Sequence, residues 1–176
     1  MSHLVRDMNP DEVAACEAIL RSLPDWFGIE SSIVDYVRDL SVMETLVAEV
    51  DGDVVAFLTL KRHSEHAEEI HVMGVCEEHQ GQGLGRALVA DAERRLVARG
   101  CDFAQVKTLG PSHPDKGYAG TRAFYLRMGY VPLEEHKLWG DANPCLVLVK
   151  HLGCVGPRDS APTPGDMPNP PGNPTS

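Results

Sequence analysis

Residues 75–88 read VCEEHQGQGLGRAL. A β-branched run closes at Val75, glycines follow at Gly81, Gly83 and Gly85, and an apolar repeat opens at Leu84 and Leu88. The layout is strand, glycine-rich turn, helix. Glycines leave backbone N–H groups uncovered, and the first turn of a helix adds unsatisfied N–H donors and the positive end of its dipole. Together they make a site for a phosphate or pyrophosphate. Arg86 adds a full positive charge in that first turn. Two familiar phosphate loops are excluded. A dinucleotide fingerprint needs glycine at position 86 or 88, where Arg86 and Leu88 stand, and no G-K-[ST] follows for a P-loop.

Working outward, residues 69–76 form the strand leading into this turn, and the helix runs over 84–98 with Leu84, Leu88, Ala92 and Leu96 on one face. Gly100 ends it. Upstream, runs at 44–50 and 54–61 flank Asp51-Gly52, a strong hairpin signal. Residues 4–6 give a first strand, and helices follow over 10–21 and within 30–40. The loop between those helices carries Trp26 and Phe27, which either wall a pocket or anchor the loop in the core. Downstream come a strand over 102–109, a long loop over 110–120, a helix over 121–128, and strands over 131–139 and 145–151. The result is a mixed α/β (α+β) domain on a mainly antiparallel sheet, with one strand–helix–strand unit in the middle.

The chain has 176 residues, 16 basic and 26 acidic, for a net charge of −10. The length suits one domain. The acidic balance speaks against nucleic acid and anionic membrane as partners, and it favours a cationic substrate only weakly. No apolar run reaches the length of a membrane helix, and the N-terminus lacks the layout of a secretory signal. The five scattered cysteines include no C-x-x-C pair, which points to a reducing cytoplasmic compartment. Residues 153–176 hold seven of 13 prolines and almost no large apolar side chain. They are expected to be a disordered tail, with the folded domain over 1–152. His63, His66 and His71 stand near Glu68 and Glu69, but their spacing gives no ligand geometry, so no metal is expected.

Gln80-Gly81-Gln82-Gly83-Leu84-Gly85 resembles the Q/R-x-x-G-x-G/A signature of the GNAT superfamily, the acyl-CoA-dependent N-acetyltransferases. Residues 121–130, TRAFYLRMGY, resemble the family's A-x-x-F-Y-x-x-x-G-F/Y segment, and the hairpin at 47–60 resembles its strands two and three. The resemblance covers residues 4–151. It implies a sheet of about six to seven strands flanked by about four helices, with acetyl-CoA as co-substrate. It further implies that Gly81, Gln82, Gly83, Leu84, Gly85 and Arg86 hold the CoA pyrophosphate. Met73, Gly74 and Val75 would pair with the pantetheine arm, and Tyr125 would protonate the departing thiolate. Many relatives carry asparagine seven residues before that tyrosine. Tyr118 stands there, so a hydroxyl from Tyr118 or Thr121 would replace the contact.

Amine acetylation needs a base, because an amine attacks only when neutral. Glu69 resembles the catalytic glutamate of some members, and strand alternation places Glu69, His71 and Met73 on one face, opposite Glu68, Ile70 and Val72. The base is therefore Glu69, His71 or a water. The expected reaction is direct transfer from acetyl-CoA to a primary amine of a small molecule or peptide, in a ternary complex. The alternative is a non-catalytic acyl-CoA-binding regulatory module of the same fold. A homodimer is compatible with the chain.

Overall fold

A computed structural model of the chain describes residues 4–114 and 117–153. Seven strands form one sheet: β1 (Leu4–Asp7), β2 (Glu44–Val50), β3 (Asp53–Arg62), β4 (Ala67–Val75), β5 (Phe103–Leu109), β6 (Val131–His136) and β7 (Cys145–His151). Their order is β1-β2-β3-β4-β5-β7-β6. All neighbours are antiparallel except β4 and β5. That one parallel pair needs a crossover, which α3 (Leu84–Ala98) provides.

The helices take both faces. Helices α1 (Val13–Arg21) and α2 (Glu30–Leu40) cover one side, where Ile19, Leu20, Ile33 and Leu40 pack on Val47, Phe57 and Val72. Helices α3 and α4 (Tyr118–Arg127) cover the other, where Leu84, Leu88, Ala92, Leu96 and Tyr125 pack on Leu46, Leu58, Ile70 and Val106. The apolar stripe expected for α3 is thus its buried face. The Asp51-Gly52 turn closes the β2–β3 hairpin with both residues at positive φ (54° and 95°), as a two-residue turn of the primed type requires.

Four local expectations change, the simplest being that the strand expected over 131–139 ends at His136. The first helix opens with a single 3-10 turn at Pro10–Glu12, where the Asn9 N–H donates to the Glu12 carboxylate at 2.7 Å. Helix α4 starts at Tyr118 rather than 121, which shortens the loop before it. The alternation assumed along β4 breaks, because Leu60 pairs with Ile70 while the adjacent Thr59 pairs with Val72. His71 is the extra residue of a β-bulge. Met73 therefore packs with Ile70 on the α3 side, and Val72 joins the α1–α2 side. The expected tail lies outside the described residues apart from Gly153.

Gly74 also has a different reason to be glycine than cofactor approach alone. A Cβ there would stand 2.9 Å from Phe57 Cε1 and 3.0 Å from Ile19 Cγ2. Both neighbours are buried in the α1 core. Gly74→Ala is therefore expected to overpack that layer and cost about 1–3 kcal/mol, read as a lowered midpoint in urea unfolding. An unchanged midpoint would show that Phe57 and Ile19 do not press on this position.

Candidate active site

The parallel pairing of β4 and β5 covers four residue pairs, from Ala67 with Phe103 to Ile70 with Val106. Beyond Ile70, β4 runs on to Val75 and β5 to Leu109 without pairing to each other. The two strands diverge, and a cleft of about 550 Å³ opens between them. Residues 71–75 of β4 thereby present a backbone edge with no strand partner on the β5 side.

One end of the cleft is the glycine turn. Gly81 and Gly83 hold φ of 74° and 89°, a region that L side chains rarely adopt, and open space surrounds both. Gly83 is the residue before α3, so the free N–H groups of the first helical turn follow it directly. Gly85 lies against the Phe124 ring, where a Cβ would stand 3.5 Å from Cζ. Arg86 is exposed and lines the cleft. Gln82 does not line it; its side-chain amide donates to the Glu78 carbonyl at 3.0 Å.

The other wall is α4. Tyr125 lines the cleft and is 4% exposed. Burial pushes its phenol pKa far up, so the hydroxyl keeps its proton. Its ring packs edge-on against Phe124 and Tyr130. Among the described residues, Thr108 Oγ1 and His79 Nδ1 are buried without a hydrogen-bond partner, and both residues line the cleft. Such orphaned polar atoms suit a polar occupant.

The α1–α2 loop closes over this space. Tyr118 Oη donates to the Trp26 carbonyl at 2.8 Å, and Trp26 Nε1 donates to Thr121 Oγ1 at 3.2 Å. The two hydroxyls expected to stand in for an asparagine thus hold Trp26. Both readings of the aromatic loop hold at once. Trp26 and Phe27 line the cleft, and both pack on the α1–α2 core.

The candidate bases separate. Glu69 is buried and does not line the cleft. Its carboxylate takes His63 Nε2 at 2.5 Å, Gln105 Nε2 at 3.1 Å and the Lys107 ammonium. Burial alone would raise its pKa. Favourable interactions with His71, Lys107 and His63 outweigh burial and hold it far below the ordinary carboxylate range. His71 does line the cleft. Its Nε2 lies 2.9 Å from Asp39 Oδ2 on α2, and its Nδ1 lies 3.9 Å from Glu69 Oε1. The Glu69 carboxylate, then Asp39, raise its pKa against the opposing effect of burial.

No acidic residue lines the cleft among the described residues, although Arg86, Lys107 and Arg127 do. The chain's overall acidity is therefore not the charge of the cleft lining. Among the described residues, no group of three or more His, Cys, Asp or Glu is placed to hold a metal ion, and no helix is long and apolar enough to cross a membrane.

The chain belongs to the GNAT acetyltransferase family: the family model for the acetyltransferase (GNAT) domain matches residues 42–132. A mycothiol acetyltransferase of Beutenbergia cavernae is 37% identical over 90 residues, which is 51% of this chain and 28% of that protein. The chain thus matches little more than a quarter of the length of this curated relative. Among solved structures, a GNAT-family acetyltransferase from Desulfovibrio desulfuricans superposes with TM-score 0.76 at 16% identity, over 86% of this chain and 99% of that one. The PaiA N-acetyltransferase of Thermoplasma acidophilum, in complex with coenzyme A, gives 0.66 at 14% identity, over 84% and 98%. These likenesses establish the fold.

Removing the Glu69 charge tests the buried network. Because its folded pKa is depressed, Glu69 contributes stability that is fully present above the ordinary carboxylate pKa of about 4.3 and is lost as pH falls toward the lowered value. Glu69→Gln is therefore expected to cost about 1–3 kcal/mol at pH 7. The deficit should shrink on acidification below about pH 4. Urea midpoints across pH check both halves.

Proposed function

We propose that this chain is an N-acetyltransferase that moves an acetyl group from acetyl-CoA to a primary amine by direct attack in a ternary complex. One observation carries the reading: a single cleft joins the glycine turn, the unpaired β4 edge, a proton-bearing Tyr125 and His71. A pure binder has no need of the last two.

Acetyl-CoA would supply the acetyl group as a thioester. The backbone N–H groups of residues 81–86 and the Arg86 guanidinium would hold its pyrophosphate. Gln82 would contribute through its backbone, since its side chain is committed to Glu78. Met73, Gly74 and Val75 would offer the free β4 edge to the pantetheine arm, as an added strand does. One of those N–H groups would polarise the thioester carbonyl. Tyr118 and Thr121 would act at one remove, by holding Trp26 over the cleft.

His71 is the better placed base, because it lines the cleft and Glu69 does not. It would take one proton from the acceptor ammonium, directly or through water, and leave a neutral amine. Tyr125 would give its phenolic proton to the sulfur as the C–S bond breaks. The amide nitrogen loses its second proton as the C–N bond is completed, which balances the phenol. The net change is one proton released to solvent. The acceptor would be a small-molecule or peptide amine that meets the aromatic wall of Trp26, Phe27 and Tyr36. The free Cys16, Cys76, Cys101 and Cys145 fit a reducing compartment such as the cytoplasm.

Thiol release from acetyl-CoA across an amine panel tests the reaction. With an acceptor in hand, Tyr125→Phe is expected to lower kcat roughly tenfold to a hundredfold, at the low end for a general acid. The calorimetric Kd for acetyl-CoA should hardly change. Arg86→Glu, at an exposed position, is expected to weaken CoA binding at least about tenfold. CoA binding without turnover on any amine would favour the regulatory module. Unchanged affinity in Arg86→Glu would remove the glycine turn from the cofactor site.

A further inference from the structure

We propose that Asp39 is a positioning residue: by accepting the Nε2 proton of His71, it fixes the tautomer whose Nδ1 takes the proton from the acceptor amine. The inference rests on the acetyltransferase reading above for the proton's source. The pairing itself stands on geometry.

Asp39 sits one residue before the end of α2, a little under one turn beyond Tyr36 and so on the same face, with its side chain 15% exposed. Its Oδ2 faces His71 Nε2 at 2.9 Å, and its Oδ1 lies 3.5 Å from Arg38 Nη2. An ionised carboxylate can only accept, so the imidazole must donate from Nε2. The neutral ring then carries its lone pair on Nδ1. Glu69 Oε1, at 3.9 Å, is beyond hydrogen-bond reach of Nδ1 in this state. Nε2 is hydrogen-bonded to Asp39, while Nδ1 stands 3.9 Å from the Glu69 carboxylate without a hydrogen bond to it, an arrangement in which a carboxylate orients a catalytic imidazole.

The β-bulge supplies the placement. His71 is the inserted residue of β4, just past the last pair with β5, so its ring meets both α2 and the cleft. Tyr36 packs edge-on against the ring, with centroids 5.6 Å apart, and restricts its rotation. Among the described residues, Glu69 and Asp39 act on the imidazole directly, and other groups surround them. From α2 come Asp39, Asp35, Arg38 and the phenol of Tyr36; from β4, Glu69. From β5 come Gln105 and Lys107, from the β3–β4 connection His63, and from β7 the Cys145 thiol. Lys107 and His63 bind Glu69 and offset its charge, so Asp39 is the carboxylate in direct contact with the imidazole.

In the step, an N–H bond of the acceptor ammonium breaks and an Nδ1–H bond forms. The imidazolium then lies between Asp39 and Glu69, both negative, and later gives the proton to solvent.

The test needs no acceptor at first. Histidine-labelled ¹⁵N spectra of the free protein, with His71 assigned by its loss in His71→Gln, read the tautomer and the titration directly. The expected result is an unprotonated Nδ1 above the midpoint, and a midpoint above that of exposed histidines. In Asp39→Asn the midpoint is expected to fall by about one pH unit. Once an acceptor is known, the acid limb of kcat/KM should move to lower pH by the same amount, with the Kd for acetyl-CoA unchanged. A protonated Nδ1 in the wild-type protein overturns the proposal whether or not the variant folds. So does an unmoved His71 midpoint in folded Asp39→Asn, or an acid limb that does not follow it. Failure of the amine panel would count against the acetyltransferase reading alone, since the spectra still decide whether Asp39 governs His71.

Discussion

The divergence of β4 and β5 is the constraint on which the site depends. Parallel strands cannot be joined by a hairpin, so a helix must cross over between them. That helix, α3, begins just past the carboxyl end of β4, and the chain after β5 leads into α4 at the same end of the sheet. Ligands in such sheets gather outside the carboxyl ends of the strands, where connections leave room. Because pairing stops at Ile70 and Val106, the gap reaches into the sheet as well as lying beyond it. The glycine turn, the free β4 edge and Tyr125 then face one space without any long loop to bring them together.

The same divergence has an electrostatic cost. Where β4 leaves β5, Glu69 is buried at 4% exposure, and an isolated carboxylate there would be strongly disfavoured. It is held by three donors: His63 before β4, and Gln105 and Lys107 on β5. A group so fully used is a poor general base, because each donor stabilises the form without the proton. His71, two residues on, is less buried, and its pKa moves the opposite way. Neighbouring groups pushed apart in this manner separate a structural charge from a titrating one. A family resemblance transfers the position of a carboxylate; only the local donors decide whether it still acts as a base.

How much was legible follows from the range of each interaction. The glycine turn is local, and Gly81, Gly83 and the α3 stripe were readable because turn chemistry and helical period act within a few residues. The Asp51-Gly52 hairpin was readable for the same reason. The β4 bulge was not, since nothing in EEIHVMG marks His71 as an insertion; its register is set by Thr59 and Leu60 on β3. The Trp26 bonds to Tyr118 and Thr121 span 92 and 95 residues, and no local pattern foretells them. Asp39 left one trace. It follows Tyr36 by three positions within the helix expected over 30–40, and Ile33 and Leu40 bury the face it borders. What it faces is β4, more than thirty residues away.

Charge shows most plainly why local structure outranks composition here. The chain carries −10, and on that number a cationic acceptor looks favoured. Yet acidic side chains are used in pairs across the surface and core: Glu12 and Glu49 on Arg6, Glu44 and Glu68 on Arg99, Glu69 on Lys107. Among the described residues none lines the cleft. Screening confines exposed charges to roughly 8–10 Å at physiological salt, so an amine within the cleft experiences Arg86, Lys107, His71 and an aromatic wall more than it experiences the net charge. On the proposed reaction, acceptor choice would be set by the fit of an uncharged or weakly charged body against Trp26, Phe27 and Tyr36. On the same proposal, the ammonium itself would need only to reach Nδ1 of His71.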